Sequence, residues 1–262
     1  MRAGPAAALV LLAMSGRSAG GQQTGLAPGP GWTAAGAAAL LDGGVSPAAG
    51  LWGVSAPTLW LAGARPWGVK GISQVEAATA FPVGPGAVAL WRRQVIGDGL
   101  VRSATGLVLS RTVAGDRLAV SLRLGEHRLG AAGERAVTDP IWGVGLVGRA
   151  TGLEAGVRWI RPLSRRLVTG SCDWAVGAHE GRWWLRLAGR TEFGHVGRTG
   201  LVLAYGDARF RCQGGGWGHP LQPLAGVRLR AGGVRVDLAG RWAPGLGLHL
   251  QCGLRWGPGG EG

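Results

Sequence analysis

The chain has 262 residues, with 52 glycines and 13 tryptophans against one tyrosine and three phenylalanines, and only 16% of its residues are charged. Soluble domains carry about 25% charged residues, whereas a disordered chain would be poorer in apolar residues than the 46% found here. The composition therefore argues against both and points to a surface partly meant to avoid water. The formal net charge is +14, but the arginines stand singly rather than in a patch and Lys70 is the only lysine, so nucleic acid is not an expected partner.

Residues 1–20 read as an export signal. Arg2 gives a positive start, Ala6–Met14 is a short apolar core, and Ser18-Ala19-Gly20 offers small residues for cleavage. A spanning helix needs ~18 or more apolar residues, and neither this run nor any later one is that long. Residues 21–56 form a linker and plug segment. Gly25–Gly31 is rich in proline and glycine, and Thr33–Leu41 predicts a short Ala-rich helix capped by Thr33.

From residue 57 to 256 the chain predicts strands. They are expected near 58–62, 72–83, 86–96, 101–113, 117–129, 141–150, 153–161, 167–178, 182–193, 199–212, 224–231, 234–242 and 246–256, followed by a tail at 257–262. The alternation is clearest at the C-terminal end, where Leu248, Leu250, Cys252, Leu254 and Trp256 oppose His249, Gln251 and Arg255. Side chains of a strand point to opposite faces with period two, so each strand has one greasy and one polar face. The parity slips near Gly206, where a bulge is expected, and Gly214-Gly215-Gly216 reads as a loop. Pro140, Pro162 and Pro244 are placed at strand ends. The breaks are too short for anything but antiparallel neighbours.

Such a chain can close as an all-β, antiparallel, up-and-down transmembrane β-barrel of about 12 strands, within ~10–14, or fold as an exported soluble sandwich with a tryptophan core. The export signal, the sparse charge and the tryptophans near segment ends favour the first. Trp91, Trp142, Trp159, Trp183, Trp242 and Trp256 are the expected interfacial girdle. The greasy face then meets lipid. Arg158, Arg186, Arg190, Arg228, Arg230, Arg235, Arg241 and Arg255, with Asp237, His249 and Gln251, line the lumen, where an excess of positive charge favours anions.

The N-terminal Ala34–Leu41 segment, the run Ser46-Pro47-Ala48-Ala49-Gly50-Leu51 and the Gly-rich strand series together resemble outer-membrane barrels of the FadL superfamily, especially the PorV/PorQ-like branch. Ser46 stands where that motif has asparagine, and a Gly-Met-Gly-Gly-Ala run is absent. The resemblance implies a plug near residues 32–56, with Ser46, Pro47 and Ala48 as its motif, and a role in transport or as a secretion-associated membrane component.

Other motifs carry less. Gly143-Val144-Gly145-Leu146-Val147-Gly148 matches a dinucleotide fingerprint, but strand alternation resumes after it where a helix is required. The histidines at 127, 179, 195, 219 and 249 lack metal-ligand spacing, and Cys172, Cys212 and Cys252 occupy greasy-face positions. No cofactor or metal is expected. Expected partners are membrane lipid, including lipopolysaccharide-type phosphates held by strand-end arginines, a small anionic or amphipathic ligand, and a secretion-system component. Two alternatives remain: an exported soluble β-domain that binds anionic surfaces, and a lipid-modifying barrel enzyme using His249 with Asp237, for which no serine stands out.

Overall fold

The computed structural model describes residues 54–257 apart from positions 66–70, 98, 115–116, 132–133, 165–166, 168, 194–196, 208, 219–220 and 246. The export signal, the helix at 33–41, the Ser46-Pro47-Ala48 motif, His195 and His219 lie outside the described residues. Fourteen antiparallel strands are joined in chain order: β1 (Thr58–Arg65), β2 (Ser73–Val83), β3 (Gly86–Gly97), β4 (Leu100–Thr112), β5 (Leu118–Ala131), β6 (Val137–Ala150) and β7 (Leu153–Pro162), then β8 (Ser171–Glu180), β9 (Trp183–Glu192), β10 (Arg198–Gly206), β11 (Phe210–Trp217), β12 (Gln222–Ala231), β13 (Val234–Ala243) and β14 (Gly247–Trp256). Each pairs with its sequence neighbours, and β1 pairs with β14, Leu59 opposite Trp256 and Leu61 opposite Leu254. The sheet is thus a closed barrel with no free edge.

The strand count is fourteen rather than twelve. The expected strand at 199–212 is in fact the hairpin β10–β11, and the expected bulge at Gly206 is its turn. Gly206 has φ +147, and a Cβ there would lie 2.1 Å from the carbonyl oxygen of Phe210. The Asp207 carboxylate accepts the backbone N–H groups of Arg209 at 2.8 Å and Phe210 at 3.0 Å, and these bonds, Phe210's first, hold its pKa below the ordinary carboxylate value. Gly214-Gly215-Gly216 is a strand segment within β11. Pro140 lies inside β6, which begins at Val137, not at its start; it faces outward and accepts the Leu163 N–H at 2.8 Å through its carbonyl.

The two rims of the barrel differ. One carries the tight connections Gly84-Pro85, Thr151-Gly152, Gly181-Arg182 and Gly232-Gly233, and both β1 and β14 open onto it. The other carries most of the longer connections, including 66–72 and 163–170.

Many glycines are explained by tryptophans lying across them. Inside the barrel Trp217 is opposite Gly200, followed along the same row by Ala188 and Ala175. Trp91 is opposite Gly106 and then Gly125, and on the outer face Trp174 covers Gly189. An aromatic ring across a cross-strand glycine restores packing that the glycine lacks. A Cβ at Gly200 would lie 2.2 Å from the Trp217 ring. Gly200→Ala is therefore expected to lower the unfolding midpoint of the detergent-folded protein by about 1–3 kcal/mol of overpacking, and adding Trp217→Leu to recover part of the loss. Simple addition of the two losses in a double-mutant cycle would contradict the packing.

Candidate functional site

Alternation in a closed barrel leaves each residue only two destinations, the lumen or the outer face. In β14, Leu248, Leu250, Leu254 and Trp256 are exposed while His249 and Gln251 are buried. In β5, Val120, Leu122 and Leu124 are exposed while Ala119, Ser121 and Arg123 are buried. The apolar parity faces outward and the polar parity inward, the reverse of a water-soluble barrel. Soluble monomers seldom expose contiguous apolar patches above a few hundred Å², yet here leucines, valines and tryptophans run around the whole outer wall. A soluble domain with a tryptophan-rich core is not what the chain builds.

The outer wall is graded along the barrel axis. On β5 the apolar residues end at Leu124, opposite Trp142, and Glu126 and Arg128 follow toward the long-connection rim. Trp142 and Trp159 meet edge to face at 4.8 Å between centroids. Near the short-turn rim, Trp183 packs on Tyr205 at 4.7 Å, and Trp256 is 57% exposed. Trp242 is also outward and exposed, at the opposite end of the wall. Trp91 departs from its expected place in the girdle: it is 6% exposed and packs inside with Val54, Ala80, Ala89 and Val108. Apolar residues occupy both parities of β3, and the small inward Ala87 and Ala89 leave the room that Trp91 fills. All three cysteines are free and lie on outward positions of β8, β11 and β14.

Every arginine expected in the lumen is on the inward parity. Arg158, Arg186, Arg228 and Arg235 are buried with Asp237, His249 and Gln251, and Arg190, Arg230, Arg241 and Arg255 are half-buried. The pairing register organises these charges. Arg228 and Asp237 are opposite each other on β12 and β13, and Arg228 Nε donates to Asp237 at 2.9 Å while Arg235 Nε donates to its other oxygen at 3.0 Å. Asp173 plays the same role on the far wall. It stands between Arg158 and Arg190 in register, accepts from Arg158 Nε at 3.0 Å and has Arg190 Nε at 3.6 Å. Nearer one rim, Arg149 pairs with Glu154 at 2.9 Å.

Carboxylates alone do not match this many arginines. Three inward arginines instead lie over inward indoles: Arg123 on Trp91 at 3.9 Å, Arg211 on Trp184 at 4.3 Å and Arg255 on Trp60 at 5.1 Å. A tryptophan face attracts a guanidinium through its quadrupole. The sequence analysis assigned tryptophan to the outer wall and so missed this inner set. Its signal was a tryptophan sharing parity with an arginine two residues away, as in Trp91-Arg92-Arg93 and Trp184-Leu185-Arg186.

The connection 163–170 is drawn over the inner wall. Asp139, fully buried on β6, accepts the backbone N–H of Ser164 at 3.2 Å and of Leu167 at 2.9 Å, and also the Ser164 hydroxyl. The carbonyl of Leu167 accepts from Arg102 Nη2 on β4 at 3.4 Å. Because β5 and β6 separate β4 from β7, this contact brings Leu167 across the barrel mouth.

His249 is opposite Arg241, and its Nε2 hydrogen-bonds Gln251 at 2.7 Å. Asp237, its expected acidic partner, is opposite Gly253 and held by two arginines. No His–Asp pair forms. Gly143–Gly148 is part of β6, and among the described residues no group of three histidines, cysteines or carboxylates could hold a metal ion.

No family model matches the sequence, and no curated protein matches it either. Among solved structures the chain is similar to engineered variants of a Rhodopseudomonas blastica porin. One mutant is 7% identical over 77% of this chain and 98% of the porin, with a TM-score of 0.45. A triple mutant gives 7% identity, the same coverage and a TM-score of 0.44.

The lumen pairs make a stability claim. Asp237→Asn leaves Arg228 and Arg235 without their counter-charge in a buried setting, where removing one member of an ion pair costs about 3–5 kcal/mol. The expected outcome is a clear drop in the urea midpoint of the detergent-folded protein, much larger than for Glu154→Gln at the exposed Arg149 pair. Equal effects would contradict the role of Asp237.

Proposed function

We propose that the chain is a porin-like β-barrel of a bacterial outer membrane whose positively lined interior passes small anionic or amphipathic solutes. The observation that carries this reading is the inversion of the barrel, with leucine, valine and tryptophan outside and arginine inside. Strands of 8–14 residues match the ~9–11 residues that cross a bilayer when tilted. A closed sheet leaves no backbone N–H or C=O without a partner in hydrocarbon, and such a fold crosses with strands, needing no helix. Short turns on one rim, with both terminal strands opening there, suit the periplasmic side, and the longer connections suit the outside.

On this reading Trp142, Trp159, Trp183, Trp242 and Trp256 form the interfacial aromatic belts. Arg92, Arg128 and Arg161, outward and exposed toward the long-connection rim, meet lipid phosphates of the outer leaflet, which guanidinium binds bidentately. A place in the FadL superfamily, a plug at Ser46-Pro47-Ala48 and a secretion partner rest on the sequence motif alone. A lipid-modifying enzyme has less support, since His249 has no acidic partner.

In planar bilayers under a potassium chloride gradient, the protein is expected to conduct with a reversal potential of the sign that marks anion preference. Cation preference, or inserted protein that passes no current, would contradict the transport reading.

A further inference from the structure

One buried cation is left over by the pairings described above. Arg123 projects from β5 into the barrel and is 4% exposed. Its Nε, Nη1 and Nη2 are all buried and have no hydrogen-bond partner among the described residues. The charged groups within electrostatic reach are Arg158, Glu76, Asp173 and Arg93. Both carboxylates in that set are placed against other arginines: Asp173 is shared by Arg158 and Arg190, and Glu76 is directly opposite Arg93 in register. A buried ion without a counter-charge costs several kcal/mol in general, so a guanidinium left this way asks for an anion.

The local geometry also prepares one. Trp91 lies across Gly106, where a Cβ would come within 2.7 Å of its Nε1, and the next strand offers Gly125 in the same row. These glycines let the indole lie flat against the wall. Arg123 stacks on it with its central carbon 3.9 Å from the ring centroid. Stacking occupies the face of the guanidinium and leaves its N–H donors in the plane, the arrangement that binds a phosphate or carboxylate through two parallel bonds. Val108 and Ala89, in the row of Arg123, are both buried and supply a low-dielectric wall that strengthens such a bond.

We propose that Arg123, held on Trp91 and flanked by Arg93, forms a discrete site inside the barrel for one oxyanion group, a phosphate or a carboxylate. The proposal rests on the reading of the interior as an anion path and makes it specific. A diffuse positive lining responds to ionic strength, whereas this site distinguishes an oxyanion from chloride.

The test uses the full chain folded in detergent, with the unfolding midpoint read from the heat-dependent mobility shift on a gel. Inorganic phosphate, acetate and sodium chloride are compared at equal ionic strength. For the wild type, saturating phosphate or acetate is expected to raise the midpoint by about 5 °C over chloride, and the more effective of the two identifies the oxyanion class. Arg123→Gln is expected to lose the difference. Arg123→Lys, which keeps the charge but not the planar fork, is expected to lose most of it. A wild type that responds alike to all three salts overturns the proposal, as does an undiminished oxyanion effect in either variant. Should both variants fail to fold, the wild-type comparison and Trp91→Phe, which weakens the stacking, decide in the same way. A chain that shows no mobility shift in any salt would overturn the barrel reading instead, so the two failures are distinct.

Discussion

Closure of the sheet is the constraint on which the rest of this structure depends. When β14 pairs with β1, Leu59 must stand opposite Trp256 and every strand between them inherits its register. A slip of one residue anywhere would move a strand's whole apolar set to the other face. In a closed barrel this would put Leu250 and Leu254 among the arginines of the lumen. Closure also satisfies the backbone, so the outer wall is free to be apolar. The outward leucines are thus a consequence of the same register that aligns Arg228 with Asp237 and Arg158 with Asp173.

The interior then has to solve a charge problem, because inward arginines exceed inward carboxylates. Two solutions are visible. Asp173 and Asp237 each hold two arginines, one across a strand pair and one nearby. Trp91, Trp184 and Trp60 each support another through the ring face. The indole replaces a carboxylate without cancelling the charge, so the lumen keeps its positive potential while the guanidinium is fixed in place. Arg123 combines burial with unmatched donors and is where the two solutions stop. Glycine completes the arrangement: a tryptophan lying flat on the wall needs a neighbour without a side chain, as at Gly106 and Gly200.

Much of this was legible in the sequence because period-two alternation is unambiguous where one parity is Leu, Val or Cys and the other is Arg, Asp, His or Gln. Strands β5, β12, β13 and β14 satisfy that condition, and the parity of all the expected lumen arginines follows from it. Legibility failed where contrast failed. Gly214-Gly215-Gly216 carries no side chains to alternate and so read as a loop. The slip at Gly206 signals either a bulge or a tight turn, and only the Asp207 bonds to Arg209 and Phe210 choose the turn. On β3, Ala87, Ala89 and Trp91 are as apolar as Val88 and Leu90, so the face of Trp91 was set by the room beside it, which no local pattern encodes. The tie from Asp139 to Ser164 and Leu167 depends on a loop folding back over the wall and has no periodic signature at all.

The central claim is that the tryptophan- and leucine-bearing wall faces lipid while the arginine-bearing wall does not. It is tested most directly by refolding the protein into vesicles of brominated phospholipid, with tryptophan retained only at position 256 in one variant and only at position 91 in another. Bromine quenches an indole that touches the acyl chains. The account predicts strong quenching of Trp256 and little of Trp91. Quenching of Trp91, or none of Trp256 in protein that has inserted, would contradict it.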